Sequence, residues 1–199
     1  MNSASNCQSD PGTALAKLLD HIRRLDEGRA YGETAVLEKI ASLADRFIAA
    51  HPELFTFEQF PLPTEPDAVS CAYQLTEEGT RPALIVNAIR GGVNSAVHDH
   101  GTWAVIAGAI GEERNRIYEC RHTTAAGPDE VGIELKGEVV VRPGRPLTLP
   151  EATFHSIHTM EGVAALQLHV YGSEPDENPD RQAFDPTTGR RVYLSPPAQ

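Results

Sequence analysis

From Leu15 onward the apolar positions Leu18, Leu19, Ile22 and Leu25 recur every three or four residues, and after Gly32 the run Val36, Leu37, Ile40, Leu43, Phe47 and Ile48 repeats that spacing. The period is helical and predicts two amphipathic helices whose stripes pack onto a core. Beyond Pro61 and Pro63 the pattern changes. Short segments rich in Val, Ile, Leu, Thr or Tyr lie near 69–75, 82–90, 95–100, 103–110, 115–122, 138–142, 146–149, 154–159 and 163–171, separated by Gly, Pro, Asp or Asn. Such segments predict strands joined by tight turns, with turns at Gly91-Gly92, Gly127-Pro128-Asp129 and Pro143-Gly144. The acidic, proline-punctuated stretch 173–180 predicts a surface loop, followed by a last extended piece around Arg190 to Leu194. Many short strands after a helical start predict a mainly β protein, an antiparallel sandwich or barrel with a helical cap.

At 199 residues without an internal repeat, the chain suits one structural domain with a sizeable core. Residues 1–66 read as a polar arm and N-terminal helices packed on a barrel, and residues 67–199 as the barrel with a C-terminal extension. The 28 acidic against 17 basic residues give a net charge of -11, which repels nucleic acid and anionic membranes and directs attention to a small-molecule partner. Cys7, Cys71 and Cys120 match no metal-site spacing and read as reduced thiols. No apolar run has the length of a transmembrane helix, and Met1 to Asp10 lacks the basic and apolar regions of a signal peptide. A soluble cytoplasmic protein is expected.

Chemistry concentrates in Gly92-Val-Asn-Ser-Ala-Val-His98-Asp-His100-Gly-Thr-Trp-Ala104. Strand side chains alternate, so His98 and His100 point to one face while Asp99 points to the other. Two imidazoles on one face make a pair of metal ligands, and His155 is the candidate third. His158, three residues further on, faces the opposite side of the same strand and reads as structural. Imidazoles suit iron, copper, nickel or zinc, and no carboxylate joins them, since no Asp or Glu occurs between Asp99 and Glu112. Three neutral ligands leave a divalent ion its full charge, which favours an anionic chelating substrate such as a thiolate. In Leu166-Gln-Leu-His-Val-Tyr171, alternation puts Gln167, His169 and Tyr171 on one face. That row is either a hydrogen-bonded structural set or a device in which His169 orients Tyr171 to handle a proton or a ligand.

Together these motifs resemble the cupin superfamily, and within it the bacterial thiol dioxygenases of the cysteine dioxygenase and 3-mercaptopropionate dioxygenase type. The first cupin motif, glycine, His-x-His, glutamate, glycine, reads here as Gly92, His98, His100, Ala104 and Gly111, with Ala104 in the place of the glutamate, a carboxylate those enzymes have also lost. The second reads as Pro150, Ala152, His155 and Thr159, with its glycine and asparagine changed. The family's Ser-x-His-x-Tyr row corresponds to Gln167, His169 and Tyr171, and Ala183-Phe-Asp-Pro-Thr-Thr-Gly189 is similar to its C-terminal signature. The resemblance spans residues 68 to 194.

It implies a single cupin (jelly-roll-like) β-barrel with a small N-terminal helical region, and Fe(II) held by His98, His100 and His155. It further implies oxidation of a small carboxylate-bearing thiol to its sulfinate by O2, with Tyr171 hydrogen-bonding substrate or oxygen. For the substrate carboxylate the family uses an arginine or glutamine on an early strand; the candidates here are Gln74 and Arg90, which favours a mercaptocarboxylate over cysteine. The cysteine–tyrosine crosslink of the animal enzymes cannot form, because Ala104 stands where the cysteine would be. Two alternatives are another three-histidine cupin dioxygenase, for instance one cleaving a carbon–carbon bond, and a non-catalytic cupin that binds a metal or small ligand.

Overall fold

The structure is a computed structural model describing residues 11–28, 33–122 and 131–192. Two helices come first, α1 (Pro11–Glu27) and α2 (Glu33–Ala50), followed by a 3-10 turn at Pro52–Leu54. Ten strands follow: β1 (Ser70–Gln74), β2 (Ala83–Ile89), β3 (Val97–His98), β4 (Ala104–Ile110) and β5 (Glu113–His122), then β6 (Val131–Val141), β7 (Leu147–Leu149), β8 (Phe154–His158), β9 (Ala165–Tyr171) and β10 (Ala183–Phe184). They form two antiparallel five-stranded sheets, ordered β1-β2-β9-β4-β7 and β10-β3-β8-β5-β6. This is the mainly β, antiparallel two-sheet architecture with N-terminal helices that the sequence pattern predicts.

Strand alternation makes the first sheet a partition between two cores. Leu84, Val86 and Ala88 of β2, Val105 and Ala107 of β4, and Leu166, Leu168 and Val170 of β9 face outward. There they meet the helical stripe of Leu18, Ile22, Leu37, Ile40, Ala44 and Phe47. The intervening residues face the barrel interior, where Ala83, Ala104, Ile106, Leu149 and Tyr171 pack together. Every residue of β9 is buried for this reason. At ~1.5–3 kcal/mol for each fully buried large aliphatic side chain, the outer face of this sheet requires the helices as a lid.

Two strands differ from the pattern-based expectation. β6 begins at Val131 rather than near 138, and its added half, paired with β5, carries the exposed Glu134, Leu135 and Lys136. A strand half exposed to solvent has no apolar alternation to display. β10 is only two residues long and owes its existence to pairing with β3. Of the predicted turns, Pro143-Gly144 closes β6 onto β7, its Gly144 amide donating to Asp45 Oδ1 of α2 at 2.8 Å. Gly91-Gly92 turns into the histidine strand with its Gly92 amide on Met160 O at 3.1 Å. The turn at 127–129 lies outside the described residues, as does the final part of the extended piece at 190–194, whose Arg191 bridges Phe184. Among the described residues no helix is long and apolar enough to cross a membrane.

Ala152 has a φ of 62°, in the left-handed region, at the place where the second motif has glycine. An L residue pays ~1–2 kcal/mol there, against ~0.5–1 kcal/mol of extra unfolded-state entropy for glycine. Ala152→Gly is therefore expected to stabilise the fold by roughly 0.5–1 kcal/mol, read as a higher urea midpoint at unchanged slope; a lower midpoint would contradict the strain.

Candidate metal centre

β3 and β8 lie side by side with His98 directly opposite His155, and His100 follows β3 by two residues. The three ring centroids are 4.5 Å (His98–His155), 5.0 Å (His100–His155) and 5.2 Å (His98–His100) apart. One nitrogen from each falls within 4.8 Å of the others, and among the described residues this is the group of metal-ligating side chains that converges. Asp99 points away, as alternation requires: its carboxylate accepts from the Gln182 amide at 2.7 Å in the C-terminal segment. Gly101, at φ 63°, turns the chain out of the histidine pair, and a Cβ there would sit 2.8 Å from Asn178 Cβ. Asn178 in turn donates to His100 O, pinning the ligand segment from outside.

The imidazoles are prepared to accept a cation. Burial pushes the His98 pKa down to about 4 and those of His100 and His155 well below their ordinary value, so all three are neutral at neutral pH. His98 Nδ1 donates to Ala96 O at 3.1 Å, a partner that can only accept. That fixes the tautomer and leaves the Nε2 lone pair free. His155 Nδ1 lies 2.7 Å from Asn115 Oδ1, while Asn115 Nδ2 donates to Glu113 Oε1 at 2.8 Å. His155 Nε2 stands 3.0 Å from His100 Nε2, within hydrogen-bond distance, so the two ring nitrogens face each other. These residues fit a divalent transition metal. Ala104, fully buried on β4, supplies no carboxylate to it.

The centre opens into a cavity of about 850 Å³ whose walls include His98, His100, His169, Tyr171, Gln74 and Arg181. His169 Nδ1 is 2.7 Å from the Tyr171 hydroxyl, and the Tyr171 ring lies 5.0 Å from that of His100. Burial raises the Tyr171 pKa above its ordinary value and lowers that of His169 to about 3, so the pair is neutral. Gln167 shares their face but not their hydrogen bond. It is fully buried opposite Asn87 and Gly108, and its amide makes no hydrogen bond. No hydrogen bond therefore runs from Gln167 to His169.

The two candidate carboxylate anchors diverge. Gln74 lines the cavity, though its amide donates to Glu174 Oε1 at 2.6 Å. Arg90 is a correction: its guanidinium donates to the carbonyls of Pro63 and Pro66, clamping the segment ahead of β1, and does not line the cavity. The arginine that does is Arg181, missed from sequence because it follows an acidic stretch that reads as surface loop. Its Nε donates to Asp99 O and its Nη1 to Asp176 Oδ1, both at 3.1 Å. Asn115 and Glu113 were missed as well, although Glu113, Asn115 and Ile117 alternate along β5 and could have signalled a polar inner face. His158 lies on the outer side of β8, bonded to Asn94 and Ser156, apart from the three ligands.

No protein-family model matches the sequence, and no curated protein matches it. Solved structures do. The DMSP lyase DddQ from Ruegeria pomeroyi DSS-3 is similar at 15% identity over 64% of this chain and 61% of that one, with a TM-score of 0.42. An RmlC-like cupin family protein with a double-stranded β-helix fold from Methanocaldococcus jannaschii is similar at 11% identity, covering 58% of this chain and 91% of that one, TM-score 0.40. A cupin 2 conserved barrel domain protein from Leptotrichia buccalis is similar at 13% identity over 56% and 44%, TM-score 0.40. The chain's own geometry shows a two-sheet antiparallel barrel with three converging histidines that could hold a metal ion.

Proposed function

We propose that this protein is a non-haem Fe(II) thiol dioxygenase that converts a small carboxylate-bearing thiol to its sulfinate. Both atoms of O2 go to sulfur, so the four electrons taken up by oxygen come from the thiolate and no external reductant is needed. The observation that supports this reading is a cluster of three neutral buried histidines without a carboxylate ligand, two of which, His98 and His100, line one cavity together with the Tyr171–His169 pair and Arg181. The chemistry a bound Fe(II) supplies is activation of O2 and deprotonation of a coordinated thiol.

The residues of this chain do the rest. Arg181, held by Asp99 O and Asp176, keeps donors free to grip a carboxylate at a set distance from the histidines. His169 donating from Nδ1 would leave the Tyr171 proton to point into the cavity, where it stabilises charge developing on the reacting oxygen. The aliphatic wall of Ile85, Ile89 and Ile157 displaces water around these groups.

Oxygen uptake by anaerobically Fe(II)-loaded protein, offered 3-mercaptopropionate, mercaptosuccinate, cysteine and cysteamine with products weighed by mass spectrometry, tests the reading. A carboxylate-bearing thiol is expected to drive uptake and gain two oxygen atoms. Arg181→Met is expected to raise its KM by roughly 10- to 100-fold, the value of a lost charge-assisted hydrogen bond, with a smaller effect on kcat and none on KM for cysteamine. If none of the thiols drives uptake while iron stays bound, the assignment falls and another cupin chemistry or a binding role is favoured.

A further inference from the structure

Two buried side chains behind the metal centre lie off the cavity. Glu113 and Asn115 are both fully buried on the inner face of β5, the strand that pairs with β8 beneath His155. Asn115 Oδ1 faces His155 Nδ1 at 2.7 Å, and Asn115 Nδ2 donates to Glu113 Oε1 at 2.8 Å. Burying a carboxyl and an amide in a barrel wall is costly unless each has a partner, and Glu113 Oε2 still has none.

The chemistry of an amide explains the arrangement. An asparagine can offer a neighbour either its oxygen or its NH2, and the two choices impose opposite tautomers on a facing imidazole. Oxygen toward His155 puts the proton on Nδ1 and the lone pair on Nε2, the atom that faces His100. NH2 toward His155 puts the proton on Nε2 and blocks it. Nothing in Asn115 itself decides between these; Glu113 Oε1 does, accepting from Nδ2 whether the carboxyl is ionised or carries its proton on the unpartnered Oε2.

We propose that Glu113 and Asn115 are positioning residues of the metal centre: Glu113 sets the direction of the Asn115 amide, and Asn115 thereby fixes His155 in the tautomer and ring orientation that present Nε2 to the ion. This rests on the reading of the three histidines as a metal site. It also returns to the site, two hydrogen bonds away from the ion, the carboxyl group that the first cupin motif loses at Ala104. Partners of this kind behind a ligand histidine typically alter metal affinity by ~10- to 100-fold.

The test is anaerobic Co(II) titration, followed by d–d absorption, of wild type, His155→Ala, Asn115→Leu, Glu113→Met and the exchanged pair Glu113→Gln with Asn115→Asp. In the exchanged pair the donor comes from residue 113 and the acceptors from residue 115, so the acceptor facing His155 is restored. Asn115→Leu is expected to weaken Co(II) binding by ~10- to 100-fold, Glu113→Met by less, and the exchanged pair to return within a few-fold of wild type. A merely structural role would not be rescued by reversing donor and acceptor. Histidine 15N NMR of metal-free wild type gives a second readout that needs no variant to fold: His155 protonated on Nδ1 is expected, and protonation on Nε2 would overturn the proposal. Wild-type affinity in folded Asn115→Leu, or no rescue by the exchanged pair, would also overturn it. Absence of His155-dependent Co(II) uptake by wild type would instead remove the metal reading and the proposal with it.

Discussion

His155→Ala is expected to abolish metal retention and turnover together, whereas His158→Ala, three residues away on the same strand, is expected to keep both. With His155 gone, His98 and His100 remain as two neutral donors, and among the described residues no Asp or Glu converges on them: Ala104 carries no carboxylate and Asp99 is engaged outside the barrel by the Gln182 amide. Loss of a ligand itself is expected to weaken Fe(II) binding by more than the ~10- to 100-fold that loss of a partner behind a ligand costs, with turnover falling alongside the iron. His158 faces outward, where Asn94 and Ser156 hold its ring. Anaerobic iron stoichiometry after gel filtration, set beside oxygen uptake, separates the two variants. Iron loss in His158→Ala with retention in His155→Ala would mean that β8 has slipped by an odd number of residues, turning the wrong face inward.

That contrast shows what the sequence makes legible. Period-two alternation alone puts His98 and His100 on one face, turns Asp99 away and separates His155 from His158, because side-chain direction in a strand is a local property. The two helices are legible for the same reason, their stripes at 18–25 and 36–48 meeting the outward residues of β2, β4 and β9. Alternation also places Gln167, His169 and Tyr171 on one face, yet which of them bond is decided by neighbours. His169 reaches Tyr171, while Gln167 is surrounded by Asn87 and Gly108 of the adjacent strands.

What pattern does not carry is tertiary placement of loops. Arg181 enters the cavity because Asn178 is tied to His100 O, Ser173 Oγ and Glu174 O, and because Arg181 itself hangs on Asp99 O. None of these bonds has a period. Arg90 illustrates the converse: next to a glycine turn near the histidine strand, it is spent on the carbonyls of Pro63 and Pro66. The solvent-facing half of β6 and the two-residue β10 are likewise set by pairing partners rather than by composition.

Raising the pH from 4.5 to 8 is expected to destabilise metal-free wild type relative to Glu113→Gln by about 3 kcal/mol. Burial pushes the Glu113 pKa up to about 7 from an ordinary 4.5, with the Asn115 hydrogen bond offsetting only part of the shift. Between these values the unfolded chain has lost the proton that the folded protein keeps. The folded state therefore binds more protons, and stability from this group is full below about 4.5 and is lost as pH rises through about 7. Glutamine has the same shape and no proton to lose, so its variant lacks this decline. The buried histidines act in the opposite direction. His98 and His169, lowered to about 4 and about 3, resist the protonation that the unfolded chain accepts below its ordinary histidine range. Their contribution makes both proteins less stable as pH falls through that range, and it cancels in the difference between them. Urea midpoints of the two metal-free proteins at pH 4.5 and pH 8 give the result directly: the gap should open toward alkaline pH in favour of Glu113→Gln. Parallel pH profiles would mean that the Glu113 carboxyl is ionised in the folded protein. Loading with a divalent ion should narrow the gap, since positive charge two hydrogen bonds away favours the carboxylate.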